Sequence, residues 1–368
     1  IPFFILAGNF LTHGGVAKRM INFATSMVGH FHGGLALGGV LACALFAAVS
    51  GSSPATVVAI GSILLPAMVK QGYPMKFGVG VIGTSGGLGI LIPPSIVMVI
   101  YAVSTNSSIG KLFIAGVIPG LLLASILLTV TWIVAKIRNY PRMPKASWTM
   151  RLRAFRECVW GLFLIVVVIG GIYSGIFTPT EAAAMSAVYA FLVAVFVYKD
   201  MKIKDVPKTL LASANMSAML LYIITNAVLF SFLLTSEQIP QELTSWITGM
   251  GLGPIGFLIM VNILLLLAGN FMEPSSVLLI TAPLLFPMAM QLGIDPIHFG
   301  IIMTVNMEIG MITPPVGLNL YVASGISRLG LTETTKACAP WILVMVAFLM
   351  LITYVPAISL WLPNLLFK

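Results

Sequence analysis

Apolar stretches long enough to cross a bilayer recur along the whole chain, and no other feature constrains the fold as strongly. Segments 112–136, 159–177, 181–198, 208–235 and 339–363 are the clearest. About 20 apolar residues span the hydrocarbon core as a helix. In lipid each backbone polar group must find its partner inside the protein, so helices are the default. Only 8% of the 368 residues are charged, against about 25% in a soluble domain. Such a surface has to be solvated by lipid. The sequence therefore predicts an all-α polytopic membrane protein in the bilayer.

The few charges orient it. Lys136, Arg138, Arg142, Lys145, Arg151, Arg153 and Arg156 crowd one loop, and Lys199, Lys202, Lys204 and Lys208 crowd another. Two apolar spans joined by the turn "TPTE" at 178–181 lie between them. Basic loops stay cytoplasmic, so both loops are expected inside and the turn outside. The same count puts Lys18, Arg19, Lys70 and Lys76 inside and Glu237 and Glu242 outside, with Lys111 as a single misfit. Topology accounts for the net charge of +9, so no nucleic-acid partner is expected. Cys43, Cys158 and Cys338 are far apart in apolar surroundings and are expected to be small buried hydrophobes. The opening "IPFFILAGNF" reads as the second half of a spanning helix, with no basic segment before it to make a signal peptide.

Two apolar segments break themselves with adjacent prolines: "GLGILIPPSIVMV" at Pro93 and Pro94, and "EIGMITPPVGLNL" at Pro314 and Pro315. A proline inside a helix costs about 3 kcal/mol or more. The two pairs are 221 positions apart, as are Pro66 and Pro287, Gly72 and Gly293, Gly89 and Gly310, and Pro119 and Pro340. That common offset argues for an internal duplication. About five crossings separate equivalent points, an odd number, so the repeats are inverted, as in many secondary transporters. Each repeat also holds an earlier apolar segment with a polar interruption. These are Ser50-Gly51-Ser52-Ser53-Pro54 and Gly269-Asn270-Phe271-Met272-Glu273-Pro274. Each is expected to enter and leave on one side as a re-entrant helical hairpin, the first open to the cytoplasm and the second to the outside. The organisation expected is a first repeat over 1–135, a basic two-helix connector over 136–207, and a second repeat over 208–368.

Broken helices at membrane depth are tolerated where they are buried or line a wet cavity. A break frees carbonyls at one half-helix end and N–H groups at the other. Carbonyls with serine or asparagine oxygens suit Na⁺, and N–H groups at a helix N-terminus suit a carboxylate. Two hairpin tips meeting two broken helices would give about two cation cages around one anion site. Glu273 and Glu308 are charges inside apolar segments, which marks them as candidates. Thr313 could ligand a cation or cap a half-helix. His13, His30, His32 and His298 fall near segment ends and are expected at the interface or in solvent. "GTSG" at 83–86 matches a pattern of intramembrane serine proteases, but no histidine is expected near it to activate the serine. Re-entrant segments also occur in channels, and carboxylates at membrane depth would equally serve a proton-coupled anion transporter.

The stretches "AAVSGSSPATVVAIGSILLPAM", "GGLGILIPPSIVMVIYA", "GNFMEPSS" and "IGMITPPVGLNLYV" resemble the large membrane subunit, the DctM type, of tripartite ATP-independent periplasmic (TRAP) transporters. The resemblance covers essentially the whole chain, and family members begin with further helices before "PFFILAGN". It implies Na⁺-driven import of an organic acid, of C4-dicarboxylate or sialic acid type, across the bacterial inner membrane. A periplasmic substrate-binding protein would deliver the acid, and a small four-helix membrane subunit, separate or fused, would brace the large one. The fold implied is an elevator, with hairpins and broken helices in a mobile domain. One Na⁺ site would be formed by Ser50, Ser52, Ser53, Gly87, Gly89 and Pro93, and the other by Gly269, Asn270, Gly310, Thr313 and Pro314. Ser53, Pro94, Glu273, Pro315 and Asn319 are the expected substrate contacts. The segments "GVAKRMINFATSMVG" and "EQIPQELTSWITGMG" would be amphipathic arm helices beside the hairpins.

Overall fold

The structure is a computed structural model that describes residues 1–13, 15–239, 242, 245 and 253–367. In the first half the helices are α1 (Pro2–His13), α2 (Val16–Val28), α3 (Gly34–Ser50), α4 (Ser53–Lys70), α5 (Met75–Ser85), α6 (Leu88–Leu91), α7 (Ile96–Thr105) and α8 (Ile109–Ile137). The connector holds α9 (Trp148–Ile165), α10 (Gly171–Tyr173) and α11 (Pro179–Leu192). α9 and α10 are joined by a π-helical turn, and a second such turn extends α11 to Val197. The second half holds α12 (Val206–Ser236), α13 (Pro254–Phe271), α14 (Pro274–Gln291), α15 (Pro296–Gly310), α16 (Leu318–Ser327), α17 (Leu331–Tyr354) and α18 (Ala357–Leu366). Among the described residues nine helical segments are long and apolar enough to cross a membrane.

The interruptions become hairpin tips and helix breaks. α3 and α4 are joined through Gly51 and Ser52, and α13 and α14 through Met272 and Glu273. Each returning helix carries a proline in its first turn, Pro54 or Pro274, where the missing N–H has no helical partner to lose. The four arms are 17 or 18 residues long. Both Pro–Pro bonds are cis. The first pair separates α6 from α7, and the second lies between α15 and α16.

The duplication shows in matching details. Gly72 and Gly293 both follow the returning hairpin arm and both have positive φ, 88° and 75°, a conformation glycine adopts without steric cost. Pro66, Pro287, Pro119 and Pro340 all lie inside helices, at matching places in α4, α14, α8 and α17. The packing is reciprocal as well. α4 packs on α16 and α14 on α7, while α5 packs on α17 and α15 on α8. Each returning arm therefore lies against the broken helix of the other repeat.

The hairpins open on opposite sides. The basic loop after α8 touches the turn before α3, through Gly33 N–H to Pro141 O at 3.2 Å and Met143 N–H to Gly29 O at 2.9 Å. It also touches the turn after α4, where Tyr73 OH donates to Pro141 O. The open end of the second hairpin instead meets the far end of α7, where Tyr101 OH donates to Pro296 O at 2.7 Å. Lys76 pairs with Glu333 and Arg19 with Asp200, which groups these charges as the positive-inside count requires.

The span expected over 339–363 is two helices: α17 starts earlier, at Leu331, and ends at Tyr354, and α18 begins after Pro356. Pro356 has no N–H to extend α17 and disfavours helical geometry at Val355 before it. His298 is not interfacial. It is 2% exposed, with Nδ1 2.7 Å from Ser359 Oγ and Nε2 3.3 Å from Thr353 O. α18 folds back over the start of α15 and buries it, a contact with no sequence signal. The first arm helix is α2, packed on α3 and α9. Most of the second arm segment, and its arm-helix reading, lies outside the described residues.

Candidate functional site

Each hairpin tip presses its backbone against a glycine of the broken helix in its own repeat. A Cβ on Gly89 would stand 2.7 Å from Ser52 O and 2.9 Å from Ser53 N. A Cβ on Gly310 would stand 2.8 Å from Gly269 Cα. Only glycine lets backbone approach backbone this closely. Gly51 likewise faces Pro94 O, and Val316 N–H donates to Asn270 O at 3.0 Å. The structure thus brings together Ser50, Ser52, Ser53, Gly89 and Pro94 at one junction, and Gly269, Asn270, Gly310 and Thr313 at the other. Gly87 faces Glu308 instead of a tip. Pro93, Pro314 and Pro315 lie in the interruptions themselves.

The side chains at the first junction bond both within the hairpin and across to the other repeat. Ser50 Oγ lies 2.9 Å from Thr56 Oγ1, which donates to Ser52 O at 2.8 Å. Ser53 Oγ accepts a 2.6 Å bond from Asn319 Nδ2, and both residues are fully buried. This bond ties the first hairpin to the second broken helix, so the junctions are neighbours in one interior. At the second junction the Thr313 hydroxyl donates to Ile309 O, one of the last carbonyls of α15, at 2.7 Å.

The equivalent positions Ser52 and Glu273 differ. Each is the N-cap of its returning helix, but Ser52 makes no side-chain cap bond. Glu273 accepts from Ser276 N–H at 3.2 Å and from Ser275 Oγ at 2.7 Å. The second tip thus closes its own helix N-terminus with a carboxylate. The N–H groups at the start of α4 have no such acceptor and remain available to an anion.

Six of the eleven buried side-chain polar atoms without partners among the described residues lie on the broken helices or at the second tip. Asn270 Oδ1, Asn319 Oδ1, Ser85 Oγ, Asn306 Oδ1 and both Glu308 oxygens are buried with no hydrogen-bond partner. All belong to the broken helices or the second tip. Glu308 is wholly buried, and its Oε1 would lie 2.6 Å from a Cβ on Gly87. Positions 87 and 308 are again 221 apart, so a carboxylate of one repeat fills the space left by glycine in the other. An unpaired buried acceptor costs about 1–3 kcal/mol, and more if charged. Orphaned oxygens in this number suit a hard cation. No group of three or more His, Cys, Asp or Glu able to hold a metal exists among the described residues, so a transition-metal centre has no ligand set there. Ser85 of the "GTSG" stretch meets no histidine.

Residues 1–358 match the family described as the tripartite ATP-independent periplasmic transporter, DctM component. The chain belongs to this family. It is 70% identical over 380 aligned residues to the C4-dicarboxylate TRAP transporter large permease protein DctM of Rhodobacter capsulatus, covering all of this chain and 86% of that protein. It is 59% identical to the protein of the same description from Pseudomonas aeruginosa, covering 99% of this chain and 85% of that one. Identity is 36% to the sialic acid TRAP transporter permease protein SiaT of Haemophilus influenzae, covering all of this chain and 59% of SiaT. The YdaH transporter of Alcanivorax borkumensis shares the fold, with a TM-score of 0.69 at 17% identity over 98% of this chain and 86% of that one. This DctM chain is therefore a TRAP-type permease of the bacterial inner membrane, as the residue-level resemblance implied.

Sequence reasoning about the permease missed Thr56, Asn306 and Asn262, and weighed Ser85 only as a protease serine. Thr56 lies one helical turn beyond the first tip and could have been found by that spacing. Asn262 and Asn306 are joined at 2.8 Å, and Asn262 Nδ2 donates to Thr353 at 3.1 Å. Such a seam among three helices has no signature in one sequence.

Proposed function

We propose that this permease imports a C4-dicarboxylate by coupling it to the inward movement of Na⁺. The observation that carries the coupling is the set of buried, unpartnered oxygens on the broken helices and at the second tip. One cation would sit between the first tip (Ser50, Ser52, Ser53) and Gly89, and another between the second tip (Gly269, Asn270) and Gly310 with Thr313. A substrate carboxylate would face the uncapped start of α4, beside Ser53, Pro94 and Asn319. Pro315 would bound the same space from the other repeat. Glu273 already has its partners in its own helix, so it fits a capping role better than a substrate contact.

The substrate class rests on the 70% identity to a protein described as a C4-dicarboxylate permease. The tripartite family description implies a periplasmic binding protein and a small membrane subunit. A fused form of that subunit is suggested by a relative described as DctMQ, 41% identical. Alternating access by an elevator would move the two hairpins and broken helices together, since each tip is locked to its own break and the Ser53–Asn319 bond joins the two.

Proteoliposomes holding the permease, its small subunit and binding protein test this. Uptake of succinate should require an inward Na⁺ gradient and rise more steeply than first order in Na⁺. Full-rate uptake in K⁺ buffer under a pH gradient would replace the Na⁺ reading with proton coupling. Uptake of sialic acid but not succinate would leave the coupling intact and change the substrate.

A further inference from the structure

Away from the breaks, α9 begins with a basic stripe. Arg153, Arg156, Glu157 and Trp160 are spaced i, i+3, i+4, i+7 and share one helix face. With Arg19 of α2 and Val197 and Tyr198 after α11 they line a cleft of about 440 Å³. The cleft is under-neutralised. Arg19 is held by Asp200 and lies 3.9 Å over the Tyr198 ring. Arg153 reaches Glu157 at 3.2 Å, but this pair is exposed, at 84% and 46%, and exposed pairs hold weakly. Arg156 makes no ion pair among the described residues. Three arginines thus face two carboxylates.

The cleft's position decides what would complete it. It lies on the first turns of the apolar span that begins at Trp148, next to the basic loop, which the positive-inside rule puts at the cytoplasmic headgroup level. Trp160 stands at the rim, and Phe163, Val166 and Val197 continue from it as exposed apolar surface. A free anion would use the arginines only. A phospholipid would use both parts: arginine forks match phosphate oxygens, and basic clefts between helices on the cytoplasmic side take anionic headgroups.

We propose that this cleft binds an anionic phospholipid of the inner leaflet, with Arg153 and Arg156 on the headgroup phosphate and Trp160 and Val197 against the upper acyl chains. The site is independent of the transport pathway, and its test is a binding measurement that does not use uptake. The full chain, purified in detergent, is titrated with phosphatidylglycerol or phosphatidylcholine, and bound lipid is counted by native mass spectrometry. Phosphatidylglycerol should be retained in preference. The double variant Arg153→Gln/Arg156→Gln should bind it about thirtyfold more weakly, with an unchanged unfolding temperature. Arg138→Gln, on the same side but outside the cleft, should bind as the parent does.

Equal retention of both lipids, or of phosphatidylglycerol by parent and double variant, would overturn the proposal. Inorganic phosphate that displaces the lipid at equal concentration would overturn it too, by showing that the apolar wall contributes nothing.

Discussion

At the scale of single residues, the tip contacts depend on what is absent. Gly89 and Gly310 face backbone atoms, which cannot swing aside as a flexible side chain can. Alanine at either position must push the tip away. We expect Gly89→Ala and Gly310→Ala each to lose about 1–3 kcal/mol of stability and most of their uptake, read by thermal unfolding in detergent and by transport. Gly325, in α16, has nothing within 4 Å of an added Cβ, so Gly325→Ala is the control and should be neutral or slightly stabilising. An active Gly89→Ala protein would remove the close approach from the mechanism. Ser53→Ala tests a different term. It leaves the buried Asn319 Nδ2 without its acceptor, which costs about 1–3 kcal/mol. Uptake should need more Na⁺, and Asn319→Ala combined with Ser53→Ala should cost less than the two single changes added together. Full additivity would show that the bond does not couple the repeats.

At the scale of elements, the double prolines separate half-helices whose ends meet the tips. The break after α15 is held by more than its prolines. Gly317 has φ 53°, Val316 N–H bonds to Asn270 O of the tip in its own repeat, and Asn319 N–H returns to Met311 O at 2.9 Å. Pro314→Ala with Pro315→Ala restores two N–H donors and removes the steric bar to helix. A helix that then grew through 311–317 would withdraw Val316 from Asn270 and pull Asn319 from Ser53. We expect Na⁺-dependent uptake to fall severely while the unfolding temperature holds or rises. The same repair at Pro93 and Pro94 should act on the first junction. Normal transport after either repair would reduce the prolines to kinks. Pro356, which separates α17 from α18, touches neither tip. Pro356→Ala should leave uptake near normal, which makes it the matched control for proline removal.

At the scale of the whole molecule, the inverted halves require that the two hairpins open on opposite sides of the membrane. The basic loop packs on the open end of the first hairpin, and the end of α7 packs on that of the second. Cys43, Cys158 and Cys338 are all buried, so single introduced cysteines can be compared cleanly. Ser147→Cys should resist an impermeant thiol reagent in intact cells and react in inverted vesicles. Thr178→Cys should show the reverse. Labelling of Ser147→Cys from the periplasm would invert the topology and exchange the sides assigned to both hairpins.

The one-dimensional pattern determined the helical membrane class, the two hairpins, the two breaks and their pairing. Each follows from strong local costs: charge in lipid, unpaired backbone in lipid, and proline in a helix. The 221-residue offset carried the symmetry because glycine and proline are kept by backbone geometry, which side-chain divergence does not erase. Gly89 and Gly310 were legible for that reason. What only the tertiary structure decided are the contacts between segments far apart in sequence. The Ser53–Asn319 bond and His298 under α18 join residues that no spacing relates, and the 221-residue offset between Gly87 and Glu308 does not by itself say that the two touch. The different caps at Ser52 and Glu273 were also invisible, since a carboxylate at a tip is equally compatible with binding a ligand and with closing its own helix. Local energetics writes breaks and tips into the sequence. Which orphaned group meets which is set by the packing of two interlocked repeats, and that packing exists only in three dimensions.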